Sequence, residues 1–155
     1  MPTSLDESTV IDRLMIRERL EMYLGSLDDK DWDGIASCFT DDCVAHYNHE
    51  PEPINGGQGV AKWLHRMVAY DATNHSLSNV RIEMKGDRAI AHSLVIATLH
   101  QGIQGVGRVQ VRAIDYVDDL VKKDGVWKIE RRLHKPTMQY DALSQTMVLY
   151  KGKAA

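Results

Sequence analysis

The sequence predicts an α+β fold, a cone-shaped roll in which a curved, mainly antiparallel sheet packs on three N-terminal helices. Three observations lead there. Apolar residues recur at helical spacing from Val10 to Val68; an alternating stretch, Cys43 to Asn48, interrupts them; and from His75 onward the pattern becomes strands joined by glycine turns. Helices grouped against one face of such a sheet make a roll, whose open end forms a pocket lined from both layers.

The elements follow in order. Ser4-Leu5-Asp6-Glu7 reads as a capping box, after which Val10, Ile11, Leu14, Ile16, Leu20, Tyr23 and Leu27 mark one long helix. A short second helix carries Trp32, Ile35, Ala36 and Phe39 on one face, and Cys43, Ala45 and Tyr47 share one side of the strand that comes next. Pro51, Pro53 and Asn55-Gly56-Gly57-Gln58-Gly59 form a loop without the preceding strand or Lys-Ser/Thr pair of a phosphate cradle. In the third helix Val60, Trp63, Leu64, Met67 and Val68 fall at i, i+3, i+4, i+7 and i+8. Strands are expected over 75–84, 89–101, 109–122 and 126–134, with turns at Lys85-Gly86-Asp87 and Lys123-Asp124-Gly125. Pro136 is expected to end the sheet, leaving 136–155 as a tail or short closing helix around Leu143, Met147 and Tyr150.

The 155 residues fit one domain spanning 1–155, with 43% hydrophobic and 26% charged residues and a net charge of −3. Charges of both signs are interspersed, so the electrostatic footprint of a nucleic-acid partner is missing. Met1 to Glu7 show no basic region followed by an apolar run, and nowhere do about 18 apolar residues occur in succession. The expectation is a cytoplasmic protein without membrane contact. Cys38 and Cys43 belong to no metal-ligand cluster and read as reduced core residues.

The chemistry gathers around Tyr23, Asp28, Tyr47, His75 and His100, which come from the first helix, the first strand and two strands of the meander. Tyr23 lies on the buried stripe, so its hydroxyl needs a partner. Asp28 sits where the helix dipole presents its negative end; it either caps the next helix, as Asp29 or Asp31 also would, or holds a functional partner. On the strand after the glycine turn, Ile90, His92, Leu94, Ile96, Thr98 and His100 are the bulkier set and are assigned to the interior. A histidine held by a carboxylate has its tautomer fixed and serves as a base, while tyrosines donate hydrogen bonds to an oxygen on which charge builds. That kit abstracts a proton beside a carbonyl or eliminates water, and it requires no metal. Candidate substrate-binding residues are Trp63, Met67, Ile96, Thr98, Tyr116 and Arg132. Strict alternation after Trp127 and Ile129 sends Arg132 and His134 outward unless a bulge shifts the register. The polar run Ile114 to Leu120, with Tyr116 and Asp118, fits either a pocket wall or an oligomer surface.

Ser26-Leu27-Asp28-Asp29-Lys30-Asp31-Trp32, Ala45-His46-Tyr47, Asn74-His75, His100 and Lys122 to Lys128 together resemble the SnoaL-like, nuclear transport factor 2-like superfamily over about residues 8 to 135. The motifs are most similar to those of scytalone dehydratase and bile-acid 7α-dehydratase. Likeness to the first implies that Asp28 and His100 form an Asp–His pair, that His75 is the catalytic histidine and that Tyr47 is a water-orienting tyrosine; the second such tyrosine falls on Leu27 here. The set Tyr23, Asp28 and His75 is similar to that of the second. Hexachlorocyclohexane dehydrochlorinase also pairs an aspartate with a histidine and has an arginine near Arg132. The resemblance implies a cofactor-independent lyase acting on a small hydrophobic cyclic or aromatic hydroxylated substrate, in a homotrimer or dimer formed through the sheet. Isomerisation, retro-aldol cleavage and a non-catalytic small-molecule-binding role remain open on the same residues.

Overall fold

The computed structural model describes residues 6–47, 50–103 and 106–144. Helix α1 (Glu7–Asp29) starts at Asp6, whose side chain accepts the Thr9 N–H; Ser4 lies outside the described residues. Its face bearing Ile16, Leu20, Tyr23, Leu24 and Leu27 is buried, and it stops at Lys30, in the left-handed conformation with φ 61°. Asp31 caps α2 (Trp32–Ser37) by accepting the Gly34 N–H at 2.9 Å. Capping is thus done by Asp31, which leaves Asp28 for another role. Helix α3 (Gly57–Leu64) continues as a 3-10 turn, His65–Ala69.

Strands β1 (Phe39–Tyr47), β2 (Ile54–Asn55), β3 (Ala72–Lys85), β4 (Arg88–Ile103), β5 (Val106–Lys123) and β6 (Val126–Ser144) form a single sheet in the order β2-β1-β6-β5-β4-β3. All neighbours are antiparallel except β1 and β6, which run parallel. The β5–β6 turn carries positive φ at both Asp124 (52°) and Gly125 (77°), as a tight two-residue hairpin turn requires.

Side chains facing α1 fall in rows that cross the strands. His75, Ala97 and Arg112 form one row, and Tyr116, His134 and Tyr47 another. Asp118, Arg132 and Ala45 form a third. The register between β5 and β6 shifts where Asp119 pairs with Arg131 and Leu120 with Ile129, so Glu130 is an extra residue. This bulge turns both Ile129 and Arg132 inward, and with them His134, against simple alternation.

Two expectations fail here. Pro136 does not end the sheet: β6 runs through it to Ser144 because Pro136 lies at a second register shift, opposite Ile114, where its missing N–H breaks no regular ladder. Leu143 therefore belongs to a strand, while Met147 and Tyr150 of the expected closing helix lie outside the described residues. On β4 the inward set is the small one. Ala89, Ala91, Ser93, Val95, Ala97 and Leu99 are buried, and all but Ser93 join the core with α1, whereas Ile90, His92, Leu94, Ile96, Thr98 and His100 are half-buried on the opposite face. Small residues let the helix approach and leave room for a cavity, which bulk on that face would fill.

Candidate active site

The site builds outward from Asp28. A carboxylate in the last turn of a helix meets the negative end of the dipole, so donors must offset it. Three arrive. His75 Nδ1 lies 2.6 Å from Asp28 Oδ1, the His75 backbone N–H donates to Oδ2 at 2.8 Å, and the Thr73 hydroxyl donates to Oδ1 at 2.8 Å. Lys30 Nζ donates to Thr73 Oγ1 at 2.8 Å, which leaves the hydroxyl proton of Thr73 free to point at Asp28. Thr73 and His75 reach the same carboxylate because alternate strand residues share a face.

Burial pushes the Asp28 carboxyl up, but the hydrogen bonds and charge of His75, with Thr73, outweigh it and hold the group below its ordinary 3.8. An ionised carboxylate only accepts, so His75 Nδ1 carries the proton between them, and in the neutral ring the lone pair is therefore on Nε2. The His75 side chain is 5% exposed and lines a cavity of about 370 Å³.

The depressed carboxyl has a consequence for acid stability. A group whose folded value lies below its unfolded one stabilises the fold above the unfolded value and loses that contribution as pH falls through the folded one. Urea midpoints of the wild type and Asp28→Asn, measured from pH 6 to pH 2, are therefore expected to converge below about pH 4 as the wild type loses the contribution of the ionised carboxylate. A difference that stays constant over that range contradicts the assignment.

The floor of the cavity is aromatic. Tyr23 and Tyr47 hydroxyls lie 3.0 Å apart, with Tyr116 and His134 beside them; the His134 ring is 4.9 Å from that of Tyr47 and 5.1 Å from that of Tyr116. Burial pushes the phenols of Tyr47 and Tyr116 well above the ordinary tyrosine value, so both keep their protons and stay donors. Behind this floor Arg132, 2% exposed, pairs with Asp118, 0% exposed, through Nε–Oδ1 at 2.7 Å and Nη2–Oδ2 at 2.8 Å. Its guanidinium stacks 4.1 Å from the centre of the Tyr23 ring and 4.3 Å from that of Tyr116. Burial opposes the charge on Arg132, but Asp118 more than restores it.

At the more exposed end, Trp63 stacks on Tyr47 at 4.3 Å and donates Nε1–H to Glu50 at 2.7 Å, while Arg66 reaches Glu50 at 3.3 Å. Met67, Tyr70, Ala97, Leu99 and Arg112 complete much of the wall.

Of the residues expected from sequence, Tyr23, Tyr47, Trp63, Met67, His75 and Tyr116 share this cavity, with Asp28 behind His75. Arg132 touches the tyrosines from below and does not line it. His100 is corrected: it faces the other side of β4, where Nε2 meets Ser144 Oγ at 3.1 Å and Nδ1 is 3.9 Å from Asp71. Ile96 and Thr98, of the same parity, leave the pocket with it, and Ala97 and Leu99 take their place. Sequence reasoning missed His134, Arg112, Thr73 and Lys30. Thr73 was legible from its i−2 spacing to His75; His134 required knowledge of the bulge.

Among the described residues no group of three or more His, Cys, Asp or Glu forms a metal site, and no helix is long and apolar enough to cross a membrane. Cys38 and Cys43 are free and buried, and burial pushes the Cys43 thiol up to about 11.

Comparison with known families places this geometry. The model of the SnoaL-like domain matches residues 8–133. The chain belongs to the SnoaL-like family. No curated protein matches its sequence. Among solved structures, this SnoaL-like protein is similar to one provisionally named a scytalone dehydratase from Novosphingobium aromaticivorans, with 24% identity, a TM-score of 0.80, and coverage of 97% of this chain and 100% of that one. It is similar also to the type 3 hexachlorocyclohexane dehydrochlorinase of Novosphingobium barchaimii, with 18% identity, a TM-score of 0.77, and coverage of 91% and 97%. A protein of unknown function from Mycobacterium tuberculosis aligns at 22% identity and a TM-score of 0.74, over 87% and 78%. These likenesses show the nuclear transport factor 2-like fold.

Proposed function

We propose that this SnoaL-like protein is a cofactor-independent lyase that eliminates water from a small hydrophobic cyclic or aromatic hydroxylated substrate. The observation that carries the reading is the 2.6 Å contact between His75 Nδ1 and Asp28, with the histidine's other nitrogen left to a cavity floored by neutral phenols. His75 Nε2 takes the proton from a carbon next to a carbonyl. The electrons of that C–H bond form the new double bond, the C–O bond to the neighbouring hydroxyl breaks, and the departing hydroxide takes the proton now on His75 Nε2, leaving as water and restoring the base. Asp28 stabilises the imidazolium formed, and Tyr23, Tyr47 and Tyr116 supply donors where negative charge gathers on oxygen. The same base returning its proton to another carbon would isomerise instead.

That structural neighbours include proteins named as a dehydratase and a dehydrochlorinase supports elimination as the reaction class. An outward sheet face bearing Ile96, Met138 (55% exposed) and Tyr140 (53% exposed) supports a homo-oligomer, trimer or dimer, and the reduced cysteines fit a cytoplasmic protein.

The test is deuterium uptake. Small cyclic hydroxyketones incubated with the protein in D₂O are expected to exchange the hydrogen next to the carbonyl, or to lose water, at a rate visible by proton NMR. His75→Ala should abolish it. Binding of these ketones with neither exchange nor loss of water, in a wild type whose histidines titrate normally, would return the protein to a purely binding role.

A further inference from the structure

One cation on the cavity has no carboxylate bonded to it among the described residues: the acid whose charge it feels, Asp141, is already taken by Arg108. Arg112 stands in the row His75, Ala97, Arg112 across β3, β4 and β5, and both ends of that row line the cavity. Neighbouring strands lie about 4.8 Å apart, so the two backbones are separated by roughly 10 Å. Between them Ala97 offers only a methyl group, leaving open space. Arg112 Nη2 donates to Gln110 Oε1 at 2.7 Å, while its Nε is buried and meets no acceptor among the described residues.

The nearby carboxylates are engaged elsewhere. Glu50 accepts from Trp63 and Arg66, Asp28 from His75 and Thr73, and Asp141, which pairs in register with Gln110, feels the charge of Arg112 but accepts its hydrogen bond from Arg108. A guanidinium with unmade hydrogen bonds beside an apolar space is unfavourable when the space is empty. Its planar fork matches one group above others, a carboxylate.

We propose that Arg112 binds a carboxylate on the substrate, so that the site takes small cyclic or aromatic acids in preference to their neutral counterparts. This deepens the reading of the cavity as a reaction site and rests on it for orientation: the acid end docks at Arg112 and the carbon that loses its proton lies across Ala97, at His75.

Equilibrium binding tests this without turnover. Benzoate with benzamide, and 2-naphthoate with 2-naphthamide, are titrated into the full chain at neutral pH and followed by calorimetry. The expected result is an acid that binds about ten- to a hundred-fold more tightly than its amide in at least one pair, the gain of a charge-assisted fork. Arg112→Gln should bring that ratio close to one by weakening the acid far more than the amide, and Arg112→Lys should keep part of it. A ratio near one in both wild-type pairs, no binding by either acid, or a ratio that survives Arg112→Gln overturns the proposal. The last outcome, combined with loss of the ratio in Arg66→Gln, assigns the acid to the entrance cation. An acid preference in a wild-type protein that exchanges no deuterium supports Arg112 and counts against the base at His75; a ratio of one in a protein that does exchange has the opposite meaning.

Discussion

Replacing His75 by alanine is expected to lower the proposed elimination rate by about 10²- to 10⁴-fold, the range that a positioned general base contributes. Asp28→Asn is the sharper variant. Asparagine has nearly the same shape, and at the C-terminal end of α1 the loss of a negative charge relieves the unfavourable dipole contact. Against that relief stand the lost charge-assisted bonds from Thr73 and the two His75 donors, so thermal stability is expected to move by a few degrees at most. The rate is expected to fall about as far as with His75→Ala. A side-chain amide facing His75 Nδ1 with its N–H makes that nitrogen an acceptor and moves the ring proton to Nε2, where no base then remains. Because the two residues act as a unit, the double variant should be no slower than His75→Ala alone, a strongly non-additive result. Full turnover by Asp28→Asn would mean that the imidazole acts without its acid.

How much of this was legible in the sequence depended on which periodicity carried the information. The helical stripes were clear in their middles and not at their ends: Ile16, Leu20, Tyr23 and Leu27 are buried as the spacing requires, and Val60 and Leu64 likewise, whereas Val68 lies past the end of α3 and is exposed, and Phe39, expected on the second helix, opens β1. One residue past the end of that stripe, Asp28 inherits its position from α1 and meets His75 from β3. Strand faces were harder to read. Alternation on β4 divides its residues correctly into two sets but does not say which set is inside, and choosing by bulk reversed the answer because the inner face of a cavity is lined by small residues. His100, Ile96 and Thr98 fell on the wrong side for that single reason. On β6 one extra residue, Glu130, inverts the positions that follow as far as the second register shift beside Pro136, and nothing local in Lys128 to Arg132 marks it. Arg132 and His134 are inward only because of a register set by β5.

The bulge has an energetic consequence. Arg132→Met is expected to destabilise the protein by about 3–5 kcal/mol, since it leaves the Asp118 carboxylate buried with no counter-charge. For a chain of this length that corresponds to a fall in Tm of roughly 6–20 °C. The pair itself is worth less than this suggests. Two charges, 2% and 0% exposed, gave up their hydration to enter the core, and their mutual attraction through two hydrogen bonds offsets that desolvation. Arg132→Met with Asp118→Leu removes both charges and both desolvation costs, so the double variant should recover most of the lost stability. Asp118→Leu alone should resemble Arg132→Met, because the stranded guanidinium keeps only the faces of Tyr23, Tyr116 and Phe39 as partners. Thermal melts of the four proteins make the cycle. Single variants no less stable than the wild type would mean that water reaches the pair, contradicting a sealed layer beneath the tyrosines. If the double variant is as unstable as the singles, the guanidinium's stacking under the cavity floor, rather than its salt bridge, holds the tyrosines in place.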